Sequence, residues 1–193
     1  MNSEERVINA IQRKQVDRVP TFEWIIDKKV INAICPGKSY EEFIYEMDID
    51  GIVVELDYKK EEISPGVFKN EWGNIIKFSE EFHAMSEGCI KSLNDLEKYE
   101  PPDPLASHRF DKWDKTFNEH NGKKGLILHL NDVFSIPRSL LGYEELFMSI
   151  ASNPKLVEGL VELSVDYNLK LAKEAVRRGV KIVFTGDDYA YDK

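Results

Sequence analysis

Three observations predict an α/β fold built on a parallel sheet. Four short apolar runs read as strands: Val19 to Ile26, Ile52 to Leu56, Gly125 to Leu130 and Lys181 to Phe184. Helical stretches separate them, and continuous apolar strands alternating with helices imply parallel pairing with both faces covered. Each run is followed by a polar, acid-bearing loop, the place where α/β proteins collect functional groups. Four β/α units are half of an eight-unit barrel of about 250 residues. The predicted architecture is therefore the N-terminal half of a TIM (β/α)8 barrel, about four parallel strands with helices plus an inserted hairpin flap. A doubly wound sheet that ends early is the structural alternative.

Taken in order, Ser3 can cap a first helix, with Glu4 and Glu5 against the positive end of its dipole and Val7, Ala10 and Ile11 on one apolar face. Asp17-Arg18-Val19-Pro20 breaks that helix, and Pro20 suits the start of a first strand. Short helices follow near Asp27 to Ile34 and Tyr40 to Met47, separated by Pro36-Gly37. Asp50-Gly51 introduces the second strand.

The stretch from about 57 to 110 exceeds what a crossover helix needs and reads as the insert. It contains a hairpin, Val67 to Trp72 and Ile75 to Phe78 around Gly73-Asn74, and closes at the rigid Pro101-Pro102-Asp103-Pro104. Trp72, Phe78 and Phe82 are expected to form the flap's own small core. After the third strand come helices near Pro137 to Leu141 and Tyr143 to Ala151. Asn153-Pro154 then opens a long helix with Leu156, Leu160, Leu163, Tyr167, Leu171 and Ala175 at helical spacing, closed by Gly179.

Composition narrows the function. The 193 residues are 42% hydrophobic and 32% charged, ordinary for a globular protein. The net charge of −9 (26 basic and 35 acidic side chains) repels phosphate backbones and anionic lipid, so neither nucleic acid nor a membrane is an expected partner. No apolar run is long enough to span a bilayer and the N-terminus has no signal-peptide pattern, which predicts a cytoplasmic location. Cys35 and Cys89 show no disulfide framework, metal-ligand spacing or basic neighbourhood, so neither reads as a nucleophile.

The strand ends supply the candidate site. Glu23 and Trp24, late in the first strand, lie with Asp27 at its carboxyl end; Asp57 and Tyr58 follow the second; Asn131 and Asp132 follow the third. Gly186-Asp187-Asp188-Tyr189 follows the fourth, close to Lys193, which reads as half of an enzyme. Asp187, Asp188, Tyr189, Glu23, Asp57 and Asp132 are the candidate substrate- or cofactor-binding residues. Carboxylates of this kind orient hydroxylated or cationic groups, hold water or help bind a metal. Asp57 and Asp132 can equally be helix caps, and adjacent Asp187 and Asp188 point opposite ways in extended chain. His129, inside the third strand, reads as an interior histidine bonded to a neighbour rather than as a ligand. No metal set, Gly-rich phosphate loop or Ser/His/Asp constellation is evident.

Five segments carry a resemblance. They are Glu5-Arg6-Val7 through Val16-Asp17-Arg18-Val19-Pro20, Met47-Asp48-Ile49-Asp50-Gly51, Asn70-Glu71-Trp72-Gly73, Asp132-Val133-Phe134-Ser135-Ile136-Pro137-Arg138, and Gly186-Asp187-Asp188-Tyr189-Ala190. In that order the chain resembles the N-terminal part of the uroporphyrinogen decarboxylase superfamily, its methyltransferase-like, corrinoid-linked branch above all. The decarboxylases have an arginine-bearing segment after the first strand, where this chain reads Phe22-Glu23-Trp24-Ile25-Ile26-Asp27. Acids there would repel a porphyrinogen, so decarboxylation is the less favoured activity.

The resemblance implies a small-molecule substrate, a methylated compound or thiol acceptor, and a corrinoid protein as partner. It places zinc ligands and corrinoid chemistry in the complete enzyme, with the metal absent from this chain and the chain alone inactive. It puts the Gly186-Asp187-Asp188-Tyr189 loop on the substrate or corrinoid side of the pocket. The alternatives are a half-barrel interaction subunit that pairs with a missing C-terminal half or another protein chain, and an inactive fragment.

Overall fold

The computed structural model describes residues 1–78 and 83–186. They form an α/β fold containing two sheets. Three parallel strands, β1 (Gly51–Val54), β6 (Gly125–Asn131) and β7 (Ile182–Gly186), lie in the order β1-β6-β7. Four antiparallel strands, β2 (Lys60–Ser64), β3 (Val67–Asn70), β4 (Ile75–Phe78) and β5 (His83–Glu87), form a meander. The expected hairpin is thus the middle of a four-stranded sheet. Among the described residues the parallel strands do not close a barrel.

The chain divides into two compact units, one of residues 1–56, 110–129 and 175–184, the other of 57–109, 130–174 and 185–193. In the first unit, α1 (Ser3–Ile11) is capped by Asn2 rather than Ser3. The Asn2 side chain takes the Glu5 N–H while the Glu5 carboxylate takes the Asn2 N–H, a reciprocal capping box. Asp27 caps α2 (Lys28–Ile34), and Ser39 with Glu42 forms a second box on α3 (Tyr40–Glu46). The helix α5 (Asp111–His120) precedes β6 and buries Trp113.

β1 is buried along its whole length, as an interior parallel strand should be. It pairs with β6 in register from Gly51↔Gly125 to Val54↔Leu128. Both glycines are places of close approach. A Cβ at Gly51 would lie 2.7 Å from the Phe22 Cβ, and one at Gly125 would lie 2.8 Å from the Val7 side chain. The start of the sheet is therefore covered by Phe22 on one strand and by α1 on the next.

The expected first strand, Val19 to Ile26, is not a strand, so the parallel sheet has three described members rather than four. The cause is local. The Thr21 carbonyl accepts both the Asp50 and Gly51 N–H groups, at 2.9 and 3.0 Å, so two of the donors beside this segment converge on one acceptor. Pro20 has no donor to give. Farther along, the Tyr40 hydroxyl accepts the Val53 N–H at 3.3 Å and donates to the Glu23 carbonyl at 3.0 Å. A side chain thus stands where a ladder hydrogen bond would be. Val19 and Ile25 are left 79% and 72% exposed, which is not how strand residues of a covered sheet behave.

In the second unit, α4 (Leu93–Glu97) follows the meander, and α6 (Ser135–Leu141), α7 (Tyr143–Ser152) and α8 (Pro154–Arg177) follow β6. The buried stripe of α8 is Leu156, Leu160, Ser164, Tyr167, Leu171 and Ala175. Ser164 replaces the expected Leu163 because its hydroxyl donates to the Asp132 carbonyl at 3.4 Å. Trp72 packs on Tyr167 of α8 with ring centroids 4.6 Å apart, so it anchors the insert to a helix rather than to a core of its own. Phe82 lies outside the described residues.

Candidate functional site

Parallel strands that start together bring equivalent positions together further along. Glu55 lies four residues past Gly51 and His129 four past Gly125, and those glycines are partners in the β1–β6 register. The two side chains meet: His129 Nδ1 and Glu55 Oε2 are 2.8 Å apart. The other oxygen, Oε1, accepts the Trp24 indole N–H at 2.6 Å. His129 has 9% of its surface exposed, whereas the Glu55 side chain keeps 45%, so the pair lies at the border of solvent.

Trp24 and Phe184 pack against His129, and Phe22 packs behind Phe184. Trp24 lies 4.5 Å from His129 and 5.4 Å from Phe184 of β7, Phe184 lies 5.5 Å from His129, and Phe22 meets Phe184 edge-on at 6.3 Å. Burial opposes ionisation of Glu55, but the hydrogen bonds from His129 and Trp24 outweigh it and hold the carboxyl below its usual range. Glu55 is thus an anion at neutral pH with both oxygens occupied as acceptors. The whole group sits at the carboxyl ends of parallel strands, where α/β enzymes place their chemistry.

Of the residues expected at the site, Glu23 is exposed and is tied in through its carbonyl by Tyr40. Asp57 exchanges backbone contacts with the fully buried Arg109: its N–H donates to the Arg109 carbonyl at 3.1 Å, and its carbonyl accepts Arg109 Nη1 at 2.7 Å. The Asp132 carboxylate accepts the Ser135 N–H at 2.6 Å and the Ser135 hydroxyl at 3.0 Å, fastening the start of α6. Asp187, Asp188 and Tyr189 lie outside the described residues. Glu55 was missed because the sequence places it inside the second strand, Ile52 to Leu56, whereas β1 ends at Val54 and leaves it at the strand's carboxyl end. The matching Asp50-Gly51 and Lys124-Gly125 strand starts could have supplied one, since aligning them sets Glu55 opposite His129.

The motif charges do structural work at the opposite end of β1. Arg6 holds Asp17 from Nε and Nη2 at 2.6 and 2.9 Å and Asp50 from Nη1 at 2.5 Å. Arg18 adds contacts to Asp50 and Asp48. Cys89 donates to the Trp72 carbonyl at 3.4 Å and burial pushes its thiol up, which is unlike an activated nucleophile. Among the described residues no three His, Cys, Asp or Glu side chains gather to hold a metal ion, so these residues do not fit a zinc site. None of the described helices is long and apolar enough to cross a membrane.

This α/β fold is that of a part of a known enzyme. It superposes on a methyltransferase from Methanosarcina mazei with a TM-score of 0.67 at 11% identity, over 95% of this chain. The chain spans 58% of that methyltransferase, less than two thirds of its length. No family model and no curated protein matches the sequence.

Proposed function

We propose that the chain is the N-terminal portion of a uroporphyrinogen-decarboxylase-like enzyme, a corrinoid-dependent methyltransferase acting on a methylated small molecule or a thiol acceptor. The observation that carries this reading is the structural match to a methyltransferase over nearly the whole chain. The five sequence segments support it independently. A corrinoid, when bound, would carry the methyl group; no zinc ligand is assigned to the described residues. The aromatic wall of Trp24, Phe22 and Phe184 would exclude water, and Glu55 and His129 would face the acceptor. Glu23, Asp57, Asp132, Asp187, Asp188 and Tyr189 are proposed to orient substrate or cofactor.

Binding of methylcobalamin to this chain, followed by quenching of tryptophan emission, tests the reading. Saturable quenching that is lost in Trp24→Phe supports it. Absence of any saturable binding counts against a corrinoid face on this part of the fold.

A second reading is an interaction subunit that pairs with another chain. It is favoured by exposed apolar residues on β7 and α8: Val183 at 44%, Leu169 at 50% and Val176 at 69%. A monodisperse monomer in sedimentation would remove it.

A further inference from the structure

Glu55 stands between two donors, and that position determines which nitrogen of His129 carries its proton. An indole N–H can only donate, so Trp24 commits Oε1 as an acceptor. An ionised carboxylate has no proton to give, so the contact of Oε2 with Nδ1 must be made by an Nδ1–H of the imidazole. In the neutral ring the lone pair is then on Nε2. No hydrogen bond occupies Nε2 within the described residues, and the ring packs against Trp24 and Phe184.

We propose that Glu55 and His129 form a proton-accepting dyad whose Nε2 takes the proton of an S–H or O–H group on a bound ligand. In that step the ligand's S–H or O–H bond breaks, its electron pair stays on sulfur or oxygen, and an Nε2–H bond forms. The resulting imidazolium faces the Glu55 carboxylate through Nδ1–H. Glu55 is a positioning residue that fixes the tautomer, and Trp24 fixes Glu55. Among the described residues, the charge of Lys112 also acts on Glu55 and favours its carboxylate. The remaining ring neighbours, Trp24 and Phe184, carry no charge. The inference does not depend on methyl transfer, because it concerns a tautomer and a lone pair that no described residue occupies.

Substitution by the isostere makes the idea testable. A glutamine at 55 has one acceptor oxygen and one amide donor. The indole demands the oxygen, so the amide group must turn to Nδ1 and push the proton onto Nε2. In Glu55→Gln the tautomer should reverse, and in Glu55→Gln combined with Trp24→Phe it should return. The measurement is imidazole 15N shifts of the intact, folded chain, with peptide mapping after diethyl pyrocarbonate treatment to read whether His129 Nε2 is open to reagent. Support is an Nδ1–H tautomer and modification at His129 in the parent chain, with both lost in Glu55→Gln and recovered in the double variant. An Nε2–H tautomer in the parent chain, a His129 inert to the reagent, or a tautomer indifferent to Glu55→Gln would each overturn the proposal.

Discussion

Arg6 donates from Nη1 to Asp50 at 2.5 Å, joining the first helix to the residue that leads into β1. Asp50 has no exposed surface, and burial raises the cost of its charge. The Thr21 N–H, Ser3 and Arg6 hydrogen bonds and the charge of Arg18 outweigh that cost and lower its pKa. Asp50→Asn should destabilise the chain by about 2 kcal/mol, below the usual cost of breaking a fully buried pair because Arg18 is part exposed and screened. Urea denaturation measures it.

The same carboxylate gives a pH dependence with a definite sign. Its folded pKa is depressed, so the unfolded chain takes up the proton first as pH falls. The contribution is complete above the unfolded value of about 3.9 and is lost as pH drops below it. Between about pH 4 and pH 2 the Asp50→Asn variant should lose less stability than the parent chain. Denaturation midpoints measured across that interval check this.

Arg109 is fully buried and serves three acceptors, the Glu71 carboxylate and the carbonyls of Asp57 and Asp103, while stacking over the Tyr58 ring at 4.6 Å. A lysine has one donor head and no planar fork. Arg109→Lys should therefore cost about 3 kcal/mol despite keeping the charge, read as a lowered urea midpoint and faster proteolysis between 57 and 103.

Two glycines should differ in how much they tolerate a side chain. A Cβ at Gly88 would lie 2.3 Å from the Leu140 carbonyl oxygen and 2.4 Å from the Leu141 carbonyl carbon, backbone atoms that cannot swing aside. Gly88→Ala should cost about 3 kcal/mol or more. At Gly37 the φ is +77° and nothing lies within 4 Å, so Gly37→Ala carries only a backbone penalty of about 1 kcal/mol. Thermal melts of the two variants give the comparison.

Tyr40→Phe tests why the segment before α2 is not a strand. Removing the hydroxyl takes away the partner of the Val53 N–H and of the Glu23 carbonyl. We expect a loss of about 1–2 kcal/mol and faster hydrogen exchange at Val53. Unchanged exchange there would show that the hydroxyl does not close that edge of β1.

The helices and the inner strands were legible in the sequence because their signals are local. Asn153-Pro154, Gly179 and the β-branched run before Glu55 each specify an element without reference to the rest of the chain. Val19 to Ile26 misled because its composition suits a strand, while Thr21 and Tyr40 decide its fate through contacts distant in sequence. The meander of β2 to β5 was half seen: the Gly73-Asn74 turn is a local signal, but the polar β2 carries no alternating pattern and all five of its residues are exposed. Asp132 was legible as a residue and ambiguous in role, and its carboxylate contacts Ser135 at the start of α6. The Glu55–His129 pair escaped because it depends on register, a relation between two strands that neither contains alone.

The most direct measurement is methyl transfer from methylcobalamin to 2-mercaptoethanol. It would be followed by the visible absorbance of the corrinoid, with zinc supplied, for the chain extended through any coding sequence that follows Lys193. The account predicts turnover by the extended protein, lowered on the order of 100-fold in kcat by His129→Ala. Absence of both turnover and corrinoid binding in the extended protein would contradict the methyltransferase reading.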